Sequence, residues 1–346
     1  MKLYSTIPAI CLVAACATQP VFEPLPEMSF PLMEVAAVSE TAPMTGQGDR
    51  ADDPAIWVNH ADPSASIILG TNKEEGLHVY NLEGEELQFL DVGRLNNVDL
   101  RGVLAAASND EAEAISWFRI DEDAASVAHI GDTPVEKFEP YGICSGRMEG
   151  VDYAAVTYKD GTVQIWSAEF AANGAVVAHL ARTAQLSSKL EGCVFDEPAA
   201  RLFIGEEAVG VWSLDLSDET SEPVVVDLIS NGNGLVEDTE GLSVWRGEDG
   251  AGYLIASAQA ADRFVVYDRL PPHAPRGVFT VTASQDGTVD AVSHTDGLDV
   301  SSATLPGFPS GLLVVQDDAN PAPEVDQNFK LVSWADVEAA LSLNEK

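Results

Sequence analysis

Positive charge is what this sequence has least of. Eighteen lysines and arginines stand against 56 aspartates and glutamates, a formal net charge of −38. Nucleic acids and anionic membrane surfaces are held by basic patches, so a chain this poor in cations binds neither. Cysteine is also scarce, with four in 346 residues. Cys11 and Cys16 belong to the amino terminus, and the other two, Cys144 and Cys193, show no zinc spacing. No stretch reaches the ~18 or more apolar residues needed to span a bilayer. A Gly-x-Ser-x-Gly elbow is missing, which weighs against hydrolases built on a serine nucleophile. The histidines, at positions 60, 78, 129, 179, 273 and 294, have neither metal-ligand nor nucleophile-base spacing. What the chain does have is 46% hydrophobic residues, ample for a buried core. A solvated acidic surface accounts for most of the charge, but it does not account for where the carboxylates cluster.

The amino terminus reads as an address. Lys2 precedes an apolar stretch at residues 7–15, and "VAAC" puts small residues just before Cys16, as in a signal peptide with a lipoprotein cleavage box. Residues 1–15 are therefore set aside as signal, with Cys16 the lipidation site; an ordinary secretory cut nearby is the alternative. Either way the mature protein is exported, to the outer membrane as a lipoprotein or to the periplasm or medium, and meets a membrane only through a lipid anchor. Residues 16–32, with Pro20, Pro24, Pro26 and Pro31, read as a tether before a folded domain over 33–346.

Beyond the tether the chain repeats itself. "GLHVYNL" at Tyr80, "ISWFRI" at Phe118, "TVQIWSA" at Trp166, "GVWSLDL" at Trp212, "RFVVYDR" at Tyr267 and "FKLVSW" at Val332 each combine a short apolar run with a polar turn. Short strands with Gly, Asp and Asn turns at a period of roughly 50 residues predict a propeller, because a single four-stranded sheet cannot bury both of its faces. The expectation is all-β, with six blades of four antiparallel strands and a first strand near residues 33–38. Helical periodicity is confined to "SWADVEAAL", with Ser333 as cap. Cys144 and Cys193 begin equivalent loops, "YGICS" and "EGCVF", in consecutive repeats, which predicts a disulfide joining neighbouring blades.

On such a ring, loops distant in sequence converge at the mouth of a central channel. The acidic loop motifs are Asp49, Asp52 and Asp53; Asn96, Asn97 and Asp99; Glu191; Glu206 and Glu207; Glu237, Asp238 and Glu240; Asp290 and Asp296; Asp317 and Asp318. Carboxylates facing one another repel by several kcal/mol unless a cation sits between them. Hard oxygen donors select calcium over zinc or copper, and several ions fit the number of ligands. Taken singly, each motif is equally readable as a turn.

Together, "DRADDPAIW" (49–57), "TNKEEGLHVY" (71–80), "LNNVDLR" (95–101), "PYGI" (140–143), "EGCVFDE" (191–197), "EDTEGL" (237–242), "TDGLDV" (295–300) and "DQNFK" (326–330) closely resemble the β-propeller phytases, in order from about residue 40 to 341. The resemblance implies a monomeric calcium-dependent phosphomonoesterase that hydrolyses myo-inositol hexakisphosphate, as its calcium complex, by attack of a calcium-bound water. It places Asp52, Glu191, Asp238, Glu240 and Asp296 at the catalytic calcium ions with Glu207 beside them. It gives Asp53, Asn97, Asp99 and Asp290 to further calcium between blades. Lys73, Arg101, Tyr141 and Lys159 would hold phosphate. Without the resemblance, Lys73 reads as a surface partner of Glu74 or Glu75 and Lys159 as turn filler. One departure is visible: "AAASND" puts Asp110 where such enzymes carry a phosphate-binding arginine. Other readings of the same scaffold are a lactonase, a phosphodiesterase or a non-catalytic calcium-binding surface propeller.

Overall fold

A computed structural model describes residues 27–343, apart from residues 45, 47, 138, 248–249 and 322–323. The expected signal segment, Cys16 and most of the tether lie outside the described residues. Six four-stranded blades follow one another along the chain, and blade five carries an additional strand. Their innermost strands are Ala51–Trp57, Leu95–Arg101, Ile143–Met148, Leu190–Asp196, Leu242–Arg246 and Leu298–Ser301. Each packs beside the next, and the sixth closes on the first around a central channel. The aromatic repeats read from the sequence are the third strand of each blade.

Why those strands are apolar on both faces follows from their packing. The core is divided into six clusters, each lying between two consecutive blades. Successive side chains of a strand point to opposite faces, so Trp117 packs toward blade three while Phe118 packs toward blade one. The outermost strand of blade three, Val176–Gln185, instead alternates between half-buried and exposed residues, as an edge with one wet face should.

The amino-terminal segment completes the ring. Leu32–Ala36, the first strand expected from the sequence, adds a fifth strand parallel to Pro275–Thr282 in blade five. Ser39–Glu40 then pairs antiparallel with Asn328–Ser333 as the fourth strand of blade six. Within the stretch read as tether, Met28 and Phe30 pack against the cluster between blades four and five. Cys144 and Cys193 form the predicted disulfide between the innermost strands of blades three and four, with Cα atoms 5.6 Å apart. The helix Trp334–Leu341 follows the last strand, and Trp334 stacks on Trp245 at 5.5 Å. Ser333 stands at its N-cap position but makes no side-chain capping bond, so stacking and burial anchor this helix.

Candidate active site

One residue at the start of each innermost strand faces the same channel mouth: Asp52, Asn96, Tyr141, Glu191, Glu240 and Asp296. Two local devices bring them together. The register slips between Ala51 and Pro54, between Leu95 and Val98, and between Leu190 and Cys193. Such bulges re-aim side chains at a strand end, here Asp52, Asn96 and Glu191. In four blades the facing residue is followed by glycine, and the reason is close approach. A Cβ on Gly192 would lie 1.7 Å from the Glu240 carbonyl oxygen, and one on Gly142 would lie 1.9 Å from that of Glu191. Gly241 and Gly297 take the same place against Asp296 and Asp52. These four glycines, three after an acid and one after Tyr141, are thus the joints at which neighbouring blades touch.

Glu191, Glu207 and Glu240 bring carboxylate oxygens within 4.8 Å of one another, all from buried side chains. Glu191 Oε2 and Glu240 Oε2 have no hydrogen-bond donor among the described residues. Burial and mutual repulsion push Glu191 up to about 8 and Glu240 to about 12. Burial likewise raises Glu207, whose Oε1 lies 2.8 Å from Lys189 Nζ, and lifts Asp52 well above the usual carboxylate range. Lys73 answers part of this charge, with its ammonium 2.9 Å from Asp52 Oδ1, 2.6 Å from Asp296 Oδ2 and 3.1 Å from the exposed Asp49. Gln259 donates to the other Asp296 oxygen. A concentration of buried, donorless oxygens with no soft ligand fits a hard divalent cation.

Tyr141 stands between this group and the rim. Its ring lies under two ammonium groups, Lys159 Nζ at 4.3 Å and Lys189 Nζ at 4.8 Å from the centroid. Burial and the nearby carboxylates hold its phenol far above its ordinary value, so it stays protonated and able to donate. Lys73, Lys159 and Tyr141 are therefore brought together at the mouth, as is Asp238, half-buried with a left-handed backbone (φ 61°) beside Glu207.

Other expected residues lie elsewhere. Arg101 ends the innermost strand of blade two at the opposite mouth, where its Nε donates to Glu197 at 2.5 Å. It does not face Lys73. Asp99 lies toward the same far end and accepts from the backbone N–H groups of Ser145 and Leu100, tying blade two to blade three. Asp53 accepts from Val98 N at 3.2 Å and neighbours Asn97, a pair set between blades one and two beneath the mouth. Asp290 holds the ammonium of Lys330 at 2.6 Å, a position shared with Glu40 at 2.5 Å, Asp317 at 3.0 Å and Asn320 at 2.9 Å. A lysine thus supplies the positive charge that the sequence led one to seek in a metal. Glu206 accepts from Ser187 and Ser188 and is a loop brace, unlike its neighbour Glu207. Asp110 does reach the rim, half-buried, with Arg94 at 3.5 Å and Lys159 acting on its charge. Lys189, Gln259 and Lys330 were not singled out from sequence. Lys330 lay within the quoted motif "DQNFK" without a role assigned to it, and Lys189 stands two places before Glu191.

Fold and site together define a six-bladed β-propeller with a polycarboxylate centre rimmed by lysines. A family model described as Phytase matches residues 2–346. A 3-phytase of Bacillus subtilis (strain 168) is 34% identical over 325 residues, covering 88% of this chain and 84% of that protein. The chain belongs to the phytase family. Solved structures with similar architecture include one of a mitotic checkpoint complex, at TM-score 0.52 and 13% identity, covering 97% of this chain and 87% of that one. Another is the RRP9 WD40 repeats, at TM-score 0.50 and 10% identity, covering 83% and 79%. At such identities the likeness concerns the propeller fold alone.

Proposed function

We propose that the protein is a calcium-dependent phosphomonoesterase that hydrolyses myo-inositol hexakisphosphate to lower inositol phosphates and orthophosphate. The observation that carries the reading is the buried, oxygen-only group of Glu191, Glu207 and Glu240. Membership of the phytase family and the 3-phytase relative point to the same substrate. Asp52, Asp238 and Asp296 complete the carboxylates that would hold several calcium ions. Asp53 and Asn97 are read as ligands of a further, structural ion. Asp99, Arg101 and Asp290 are left out of the ligand and phosphate sets: Asp99 accepts from two backbone N–H groups, Arg101 pairs with Glu197 at the opposite mouth, and Asp290 Oδ1 holds the ammonium of Lys330.

Bound calcium would neutralise the carboxylates and polarise phosphoryl oxygens, giving an acidic mouth the sign a polyanion requires. The chain's own groups then bind and orient. Lys73 presents charge-assisted donors next to Asp52 and Asp296, where a phosphoryl oxygen would compete for its protons. Tyr141 offers a neutral hydroxyl donor, and Lys159 an ammonium above the same ring. None of these groups need be a covalent nucleophile.

We read residues 1–15 as an export signal with Cys16 as the lipid-bearing residue, and the protein as a monomer. The Cys144–Cys193 disulfide supports an oxidising compartment. The deciding experiment incubates purified protein with phytate in calcium and then in excess chelator. Phosphate release in calcium alone is expected. Release unaffected by chelator removes the calcium requirement, and no release in either condition overturns the function.

A further inference from the structure

We infer that the Cys144–Cys193 disulfide positions Glu191 at the cation-holding centre, beyond its part in joining blades three and four. No donor among the described residues reaches the buried Oε2 of Glu191, so the direction of this carboxylate is set by its backbone. That backbone is a bulge. Leu190 pairs with Glu206 and Cys193 with Ile204, which leaves Glu191 and Gly192 together opposite Gly205. A bulge leaves its extra residue unpaired and disrupts the ladder, so other contacts must hold it. Blade three supplies them. Leu190 N–H donates to the Tyr158 carbonyl at 3.3 Å, Thr157 Oγ1 donates to the Glu191 carbonyl at 2.6 Å, and Cys193, the first residue back in register, is bonded to Cys144. On the other flank Gly192 lies against the Glu240 carbonyl with no room for a Cβ. The bulge is thus clamped between blades three and five, and a shift of it changes how Glu191 faces Glu240.

Three bulges aim a residue into the mouth, and one of them has a covalent brace. The bulge of Asp52 is held by hydrogen bonds, Asp53 N–H to Thr71 Oγ1 at 2.9 Å and Gly297 N–H to the Asp52 carbonyl at 3.0 Å, and that of Asn96 by Asn97 N–H to Ser108 Oγ at 3.0 Å. Of Asp52, Asn96 and Glu191, only Glu191 belongs to the group of Glu191, Glu207 and Glu240. The covalent link therefore falls where a carboxylate oxygen without a donor has to be kept in place for a cation. A site whose ligands are already fixed binds more tightly than one that must order a ligand on binding. Without the link Glu191 keeps its charge and its neighbours but loses its fixed direction. Cation affinity falls as a result. Turnover of the fully loaded protein stays nearly intact, because an ion once bound orders the same ligands.

This inference rests on the calcium-dependent phytase reading, and the test separates the two. Wild-type, Cys144→Ala/Cys193→Ala, Cys144→Val/Cys193→Ala and Val337→Ala proteins are compared well below their melting temperatures. The Val version refills the cluster around the two cysteines, which keeps a disulfide-free protein measurable if the Ala version fails to fold. Val337→Ala opens a cavity in the cluster between blades five and six and serves as the control for lost stability alone. Calcium affinity is measured without substrate, by competition with a chromophoric chelator, and phytate turnover is followed against calcium concentration. The disulfide-free proteins should bind one class of calcium about tenfold more weakly and need about tenfold more calcium for half-maximal turnover, with kcat at saturating calcium within about twofold of wild type. Val337→Ala should melt lower yet keep its calcium affinity within about twofold. Calcium affinity unchanged in the disulfide-free proteins overturns the inference, as does an equal loss in Val337→Ala. If wild-type protein binds calcium but releases no phosphate from phytate, the phytase reading falls while the affinities still decide the role of the disulfide. Absence of calcium binding by the wild-type protein overturns both.

Discussion

Lys73 holds two carboxylates that would otherwise repel, Asp52 and Asp296, in a setting where Asp52 is fully buried. Lys73→Ala should therefore act on stability and activity separately. Without calcium it leaves buried charge unpaired and should cost about 3 kcal/mol. Calcium should restore most of the lost thermal stability, while phytate turnover stays down by about a hundredfold because the phosphate donor is gone. Melting curves and kinetics with and without calcium check both halves; near-normal turnover would remove Lys73 from the site. Asp110 is the opposite case, a carboxylate at the rim beside Lys159. Asp110→Asn should lower KM for phytate about twofold to threefold by removing repulsion. Steady-state kinetics at low ionic strength would show it best.

At the scale of strands and turns, the joints between blades matter as much as the side chains they carry. Gly192→Ala puts a methyl group into the Glu240 carbonyl, so the strand must shift. A loss of roughly 1–3 kcal/mol is expected, together with weakened calcium binding, since Glu191 and Glu240 flank that contact. Thermal melting and calcium titration should both register it. The disulfide closes a sequence separation of 49 residues, and its removal in a Cys144→Ala/Cys193→Ala protein should cost about 2–4 kcal/mol. Denaturant unfolding measures that directly.

The same scale explains what the sequence disclosed. The third strands at Tyr80, Phe118, Trp166, Trp212, Tyr267 and Val332 were readable because strands packed between blades must be apolar or aromatic on both faces. Asp52, Glu191, Glu240 and Asp296 were readable as acids at strand starts. Arg101 misled because "LNNVDLR" is one strand running down the channel. At ~3.3 Å per residue, Asn97 and Arg101 stand more than ~10 Å apart, at different mouths. Asp290 misled because its partner, Lys330, lies in a strand of a blade formed later in the chain. Lys189 was hidden because its meaning comes from the ring of Tyr141, contributed by the preceding blade.

Across the whole molecule the acidic mouth sets an unusual dependence on pH. A carboxyl raised from 4.5 to about 8 on folding, as Glu191 is, binds its proton more tightly in the folded state. Its contribution is therefore fully present below about pH 4.5 and is lost as pH rises toward 8, the reverse of a salt-bridged carboxylate. Glu240, raised to about 12, extends the loss further. The chelated protein should melt at lower temperature as pH goes from 5 to 9. Calcium should flatten that slope and bind more tightly at higher pH, because it competes with those protons. At a hundredfold excess over Kd, each calcium ion should add about 2.7 kcal/mol. A chelated protein whose melting temperature is flat or rising over this range would contradict the assignment.

Blade six is assembled from both ends of the chain, Ser39–Glu40 against Asn328–Ser333, with Glu40 touching the buried ammonium of Lys330. Whatever emerges first must therefore wait for what emerges last. Until the strand at 328–333 exists, residues 39–40 have no partner there, and blades one to five form an open arc with two bare faces. Ring closure is then a single late event that couples the full length of the chain, and loop-closure entropy makes such long-range pairing slow. A chain that crosses a membrane before folding loses nothing by this order, whereas one cut short at either end keeps an unpaired edge in blade six.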